Sequence, residues 1–370
     1  MTTQQAFRVD VHHHLVPPEY VAALARIGVT GAGGEDFPTW SPEQSLAMMD
    51  RQGIATAILS LSAPGVFFGG RGWARDLARL SNEVAARAVS DAPHCFGFFA
   101  TLPLPDVDDA LRELDYAYDT LHADGVVLLS NYAGQYPGDP TFEALFAELN
   151  RRKAVVFLHP TAATGATVPP GNNAGATLAG VPSSLLEFVF DTTRAVASLL
   201  AHGTLERTPD VRYILAHAGG TVPYLAIRMA IGALWAAGKI TPGAAWGTDV
   251  NQPWQMAQLA QISAGVSQLQ RLYYDTTFSD PATVFPSLQA LVQPSQLLFG
   301  SDYPWAGEAI TSLTLLRLES YQGLDQQARK AVEHDNALSL FPRLAAAASV
   351  AAGAARQHTP DKGMNLEEDR

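Results

Sequence analysis

The chain has 370 residues, 47 % of them apolar and 16 % charged, and its 24 basic against 36 acidic side chains leave a formal charge of −12. This composition excludes a disordered chain, and without a basic run to follow phosphates it speaks against nucleic-acid binding. The single cysteine, Cys95, excludes an intrachain disulfide and a zinc–thiolate cluster.

The first eight residues are polar and lack the basic start and apolar stretch of a secretory leader. No window approaches the ~18 uninterrupted apolar residues of a membrane span. A cytoplasmic protein is expected.

A short β-rich apolar run, a turn and a longer helical stretch then recur eight times. The first run is 7–14 (FRVDVHHH), followed by a helix over 41–53 that opens on a Ser cap and Pro and stops at Gly53. The second run, 55–61, precedes a helical pattern over 72–90, and the third, 95–101, precedes one over 107–125. The fourth, 125–130, leads into a helix over 141–152; the fifth to eighth are 154–159, 211–217, 271–277 and 296–302. Several runs are apolar at consecutive positions, as parallel strands covered on both faces must be. Eight βα units predict one α/β domain, a (β/α)8 TIM barrel over residues 1–343. The Gly-, Pro- and Thr-rich stretch 161–182 after the fifth run predicts a lid, and 344–370 predicts a partly disordered tail.

The chemistry lies where the runs end. His12 and His14 close the first run, His159 the fifth, His217 the sixth and Asp302 the eighth. Side chains two apart on a strand point the same way, so His12 and His14 can face one ion. Singly, each has a plainer reading: a hydrogen-bonded rim histidine, or an Asp that caps the following helix. Together, at the C-terminal rim where barrel enzymes build their sites, they predict a metal centre. Imidazoles and a carboxylate without thiolate suit Zn²⁺ first and Mn²⁺ second. None of the four lysines closes a run, so one divalent metal is expected rather than a lysine-bridged pair. No phosphate-binding glycine motif follows a strand, and no organic cofactor is expected.

The motifs D-x-H-x-H (Asp10, His12, His14), FLHP (157–160), LAHAGG (215–220) and FGSDYP (299–304) resemble, in order, those of the amidohydrolase superfamily. The resemblance spans about residues 7–342 and is strongest to the aminocarboxymuconate-semialdehyde decarboxylase branch. It implies His12, His14, His159 and Asp302 as metal ligands, with His217 beside the metal activating water or a substrate oxygen. It also implies that Arg228, eleven residues past His217, reaches a partner subunit's site and holds a substrate carboxylate in a homodimer. The plainer reading of Arg228 is a solvated helix residue. The Arg-rich loop of that branch is absent ahead of 39–45, and the aromatic residue of its lid is replaced near Thr177. The stretches 10–20, 56–66 and 187–196 resemble 6-methylsalicylate decarboxylases instead.

Phe67 and Phe68, flanked by glycines after the second run, are candidate substrate-stacking rings, or ordinary packing under the loop. Asn131, Tyr132 and Asp275 occupy rim positions, Asp191 and Arg194 are spaced for an ion pair on one helix, and Asp10 should lie one layer below His12 on the same face. The expected activity is a metal-dependent, non-oxidative decarboxylation of a hydroxybenzoate such as 6-methylsalicylate, or of an enoic acid. Asp302 would carry the proton and His217 would polarise the substrate. A metal-dependent hydrolase of an ester, lactone or amide would use the same residues, and a non-catalytic binder is the remaining alternative.

Overall fold

The computed structural model describes residues 7–162, 178, 180–240 and 253–345. Eight strands run parallel in chain order: β1 (Arg8–His14), β2 (Ile54–Ser60), β3 (Phe96–Thr101), β4 (Gly125–Leu129), β5 (Val155–His159), β6 (Arg212–Leu215), β7 (Tyr273–Asp275) and β8 (Leu297–Leu298). Seven fall inside the runs expected from sequence, and β2 begins one residue ahead of its run at 55–61. The last strand meets the first: Val11 N–H donates to Phe299 O at 3.0 Å, His14 N–H to Tyr303 O at 2.7 Å, and Asp302 N–H to His12 O at 2.8 Å. The sheet therefore closes into the expected barrel.

Helices pack around it: α1 (Pro18–Ala25), α2 (Pro42–Gln52), α3 (Arg71–Asp91), α4 (Val107–Asp119), α5 (Glu143–Arg151), α6 (Glu187–Ala201), α7 (Thr204–Arg207), α8 (Val222–Ala236), α9 (Pro253–Leu269), α10 (Pro281–Leu291) and α11 (Glu308–Ser320). The signals at α2 act as expected: Ser41 Oγ accepts the Gln44 N–H at 3.2 Å, and Gly53 ends the helix at φ +66°. α4 stops at Asp119, short of the expected 125, because the chain must turn back into β4 at Gly125. One feature was not foreseen: two short antiparallel strands, Gly31–Ala32 and Glu35–Asp36, form a hairpin on the loop after α1. The expected lid and tail fall for the most part outside the described residues. No helix among the described residues is long and apolar enough to cross a membrane.

The barrel interior is one apolar cluster in which Val9, Val11, Ile58, Phe99, Val127, Phe157, Ile214 and Leu298 meet. Phe341, from the C-terminal helical segment, closes its lower end, 5.9 Å from Phe99. Two further clusters fill the space between strands and helices. Alternation on β5 then carries His159 inward above Phe157, and the turn after β8, left-handed at Asp302 (φ +61°), brings that carboxylate to the same mouth.

β1 does not follow that alternation. Val9 and Val11 face inward, so a regular strand would send His12 and His14 outward. The pairing with β2 slips between Asp10 and His13, which oppose Ala57 and Leu59: three steps on β1 against two on β2. This bulge turns both histidines into the barrel mouth. It also corrects the placement of Asp10, which lies off the His12 face. Its Oδ2 accepts from His13 Nδ1 at 3.0 Å and from Ser301 Oγ at 2.6 Å, and its Oδ1 accepts from the backbone N–H groups of His12 and Ser301. Asp10 thereby ties the bulge to the loop after β8.

Candidate metal centre

The barrel mouth gathers His12, His14, His159 and Asp302, each buried, with one ligand atom apiece within 4.8 Å of the others. His12 Nε2 and His14 Nε2 are 3.0 Å apart, and Asp302 Oδ1 lies 3.3 Å from the first and 3.0 Å from the second. The outer nitrogens are committed elsewhere. His12 Nδ1 donates to Asp275 Oδ2 at 2.7 Å, His14 Nδ1 to the Ser60 carbonyl at 3.1 Å, and His159 Nδ1 to the Pro160 carbonyl at 2.7 Å. Each such bond places the proton on Nδ1 and leaves the Nε2 lone pair pointing inward. Three lone pairs and a carboxylate converging without a donor between them repel one another unless a cation sits among them. The donor set therefore fits one divalent metal.

Without a metal ion, a proton on His12 takes the place of the cation. Burial opposes a charge on His12, but Asp275 and Asp302 outweigh it and push its pKa up to about 10. Burial, then the neighbouring histidines, hold His159 well below the ordinary range. Burial would raise Asp302, but the His12 charge and hydrogen bonds from His12, His14 and His217 keep it well below the usual carboxylate range.

His217 stands beside this group. Its Nε2 is 3.5 Å from Asp302 Oδ2, and its backbone N–H donates to Asp275 Oδ1 at 2.9 Å. Its Nδ1 is buried and has no hydrogen-bond partner among the described residues. His217 and Asp302 both adopt left-handed backbone, φ +55° and +61°, a strain typical of functional turns.

Above the centre lies a cavity of about 280 Å³. His159, His217 and Asp302 form its floor, and Phe188, Phe278 and Trp305 stand among its walls. Phe278 lies 6.3 Å from the His217 ring. Among the described residues, no Arg or Lys lines it. Phe67 and Phe68, the rings singled out from sequence, do not line it either: they pack against the core between β2 and α3. A loop's local pattern does not say which way its rings turn. Phe278 and Trp305 sit three residues past Asp275 and Asp302, so rim residues followed by an aromatic are the signal that could have found them.

Arg228 is exposed on α8 and lines a shallow outer groove with Ala197, His202 and Leu225, away from the floor of its own barrel. Asp275 holds His12, a role its rim position alone did not reveal. Tyr132 packs inward, its ring 6.0 Å from Phe142, and its hydroxyl accepts the Leu129 N–H. Asp191 is a buried hub that accepts from Ser130, Asn131 at 2.7 Å and Tyr136 at 2.7 Å, with Arg194 at 3.5 Å as expected.

Residues 9–343 match the amidohydrolase family. The chain is 34 % identical to a decarboxylase of Aspergillus niger, over 94 % of this chain and 90 % of that one. It is 35 % identical to a 6-methylsalicylic acid decarboxylase of Aspergillus aculeatus, over 91 % and 96 %. Among solved structures, an amidohydrolase II superposes with a TM-score of 0.77 at 28 % identity, covering 90 % of this chain and 99 % of that one.

Proposed function

The chain belongs to the amidohydrolase family, and from that premise we propose that it is a metal-dependent, non-oxidative decarboxylase of a single-ring aromatic carboxylic acid of the hydroxybenzoate class. The activity named for its two fungal relatives supports this reading. The observation that carries it is the composition of the cavity: a floor of histidines and Asp302 under aromatic walls. At about 280 Å³ it stands at the small end of ligand pockets, which run roughly 300–1,000 Å³.

His12, His14, His159 and Asp302 would hold the metal, with zinc preferred over manganese by an imidazole-rich donor set. When bound, the metal supplies a fixed positive charge and Lewis acidity for the oxygens of the acid and its neighbouring hydroxyl. Phe188, Phe278 and Trp305 sandwich the ring and keep water from the carboxylate. A carboxylate in such walls is disfavoured relative to neutral CO₂. Asp302, ionised at rest, takes a proton on Oδ2 from solvent as the acid binds and passes it to the ring carbon that bears the carboxylate. The ring–carboxylate bond then breaks, its electron pair restores the aromatic ring, and CO₂ leaves. Asp302 is left ionised again, and His217 Nε2, 3.5 Å from Oδ2, steadies the charge there.

In the same proposal the enzyme is a homodimer, and Arg228 supplies from the partner subunit the positive charge that the described lining lacks.

A second reading draws on that same absence. A neutral ester or lactone needs no basic side chain, and a hydrolase would use His217 and Asp302 to activate water. CO₂ release from a panel of hydroxybenzoates, with metal-loaded and chelator-treated protein, separates the two. Metal-dependent release establishes the decarboxylase. No release from metal-loaded protein that cleaves esters establishes the hydrolase.

A further inference from the structure

Among the described residues lining the cavity, Glu35 is the one charged side chain outside the histidine–aspartate floor. It is half-buried on the hairpin Gly31–Asp36, which is fastened over the mouth. Ser184 N–H donates to Gly33 O at 3.1 Å, and Ser184 Oγ donates to Glu35 Oε1 at 2.7 Å. The close fit needs the glycine: at Gly33, φ +64°, a Cβ would stand 3.0 Å from Ser184 Cβ. Ser184 fixes the carboxylate through Oε1, and Oε2 has no hydrogen-bond partner among the described residues.

A ring that fills this cavity displaces the water that would otherwise solvate Oε2. An ionised oxygen left against apolar walls is costly unless the ring itself brings a donor. A second carboxylate at that end would face like charge at short range.

We propose that Glu35 is a specificity-determining residue: it accepts a hydrogen bond from a hydroxyl or amino group carried by the substrate ring away from the reacting carboxylate, and it excludes a ring with a second carboxylate there. The substrate class is thus an aromatic acid with a distal hydrogen-bond donor. The inference rests on the decarboxylase reading for its substrates, and its binding arm is independent of turnover.

The test uses the metal-loaded full chain and three 2-hydroxybenzoates bearing a hydroxyl, a methyl or a carboxylate distal to the reacting group. For each, kcat/KM for CO₂ release is measured. The Kd of the matching analogue, with nitro in place of the reacting carboxylate, is measured by calorimetry. The hydroxyl ring is expected to exceed the methyl ring by about tenfold in both readouts, the size of one hydrogen bond to a charged group. Glu35→Ala removes that ratio and admits the dicarboxylate. Glu35→Gln, which keeps shape and an acceptor, admits the dicarboxylate but retains part of the hydroxyl preference. Ser184→Ala, which frees Oε1 but keeps the charge, preserves both ratios. The proposal is overturned if folded Glu35→Ala keeps the wild-type ratios, or if Ser184→Ala erases them as fully as Glu35→Ala does. Kd ratios that follow Glu35 without CO₂ release from any ring would sink the decarboxylase reading and leave the role of Glu35 standing.

Discussion

Asp275 holds His12: its Oδ2 lies 2.7 Å from Nδ1 of that ring, and both side chains are fully buried. The other oxygen accepts the backbone N–H groups of His217 and Thr277 at 2.9 and 3.0 Å. One carboxylate thus sets the tautomer of a candidate ligand and the place of the neighbouring His217.

Asp275→Asn keeps the shape and loses the charge. Removing such an outer partner typically costs 10–100-fold in metal affinity, and about that loss is expected here. Competition against a chromophoric chelator measures it. An unchanged affinity in a folded variant would refute the role.

Metal binding should depend on pH through His12, whose pKa is pushed up from 6.5 to about 10 while His14 and His159 are lowered. The charged His12 stabilises the metal-free fold: this contribution is fully present below pH 6.5 and is lost as pH rises through about 10. A metal must displace that proton. Near pH 8 about one proton should leave per ion bound, and apparent affinity should rise about tenfold per pH unit up to about 10. Calorimetry in two buffers of different ionisation enthalpy counts the proton. An affinity that stays flat between about pH 7 and 9 would contradict this.

Removing the metal should also lower thermal stability, because a ligand bound only to the folded state at a thousandfold excess over Kd contributes about 4 kcal/mol. A melt of chelator-treated protein should fall by several degrees and recover on adding zinc. Equal melting temperatures at saturating metal would argue against a bound ion.

Gly220 lies in the turn that follows His217, at φ +63°, and a Cβ there would stand 2.1 Å from the Val189 carbonyl. Gly220→Ala cannot be absorbed, since the obstacle is backbone of α6. A loss of more than about 1 kcal/mol is expected in denaturant unfolding, together with loss of activity as His217 shifts. A variant with wild-type midpoint and turnover would show the turn to be adaptable.

If Arg228 acts across a dimer interface, Arg228→Ala and Asp302→Ala are each inactive alone but complement one another when mixed. Heterodimers would contain one intact site, and CO₂ release from the mixture reads it directly. Mixtures as inactive as their parts, with subunit exchange demonstrated, would place Arg228 outside the site.

Much of this site was legible because its signals are local. The parity of β5 placed His159 inward with Phe157, and a terminal position at the C-terminal end of a parallel strand is a rim position whatever the rest of the chain does. The Ser41 cap and Gly53 stop marked α2 for the same reason. His12 and His14 were correctly seen to share a face, since they are two apart. That this face is also the face of Val9 and Val11 was not legible. It depends on the bulge against β2, beside which Asp10 bonds Ser301, a residue 291 positions away.

The amino-acid sequence by itself determined the eight strands, their parallel order and the five polar residues at or just past their C-terminal ends, because alternation, apolar runs and turn residues act within a few positions. Only the tertiary structure decided what surrounds those five. Asp275 found His12, Phe188, Phe278 and Trp305 became the walls in place of Phe67 and Phe68, and Glu35 came to the mouth on an unforeseen hairpin. Each of these contacts joins segments distant in the chain. Each is fixed by which loops fold back over the barrel, a property of packing and not of local pattern.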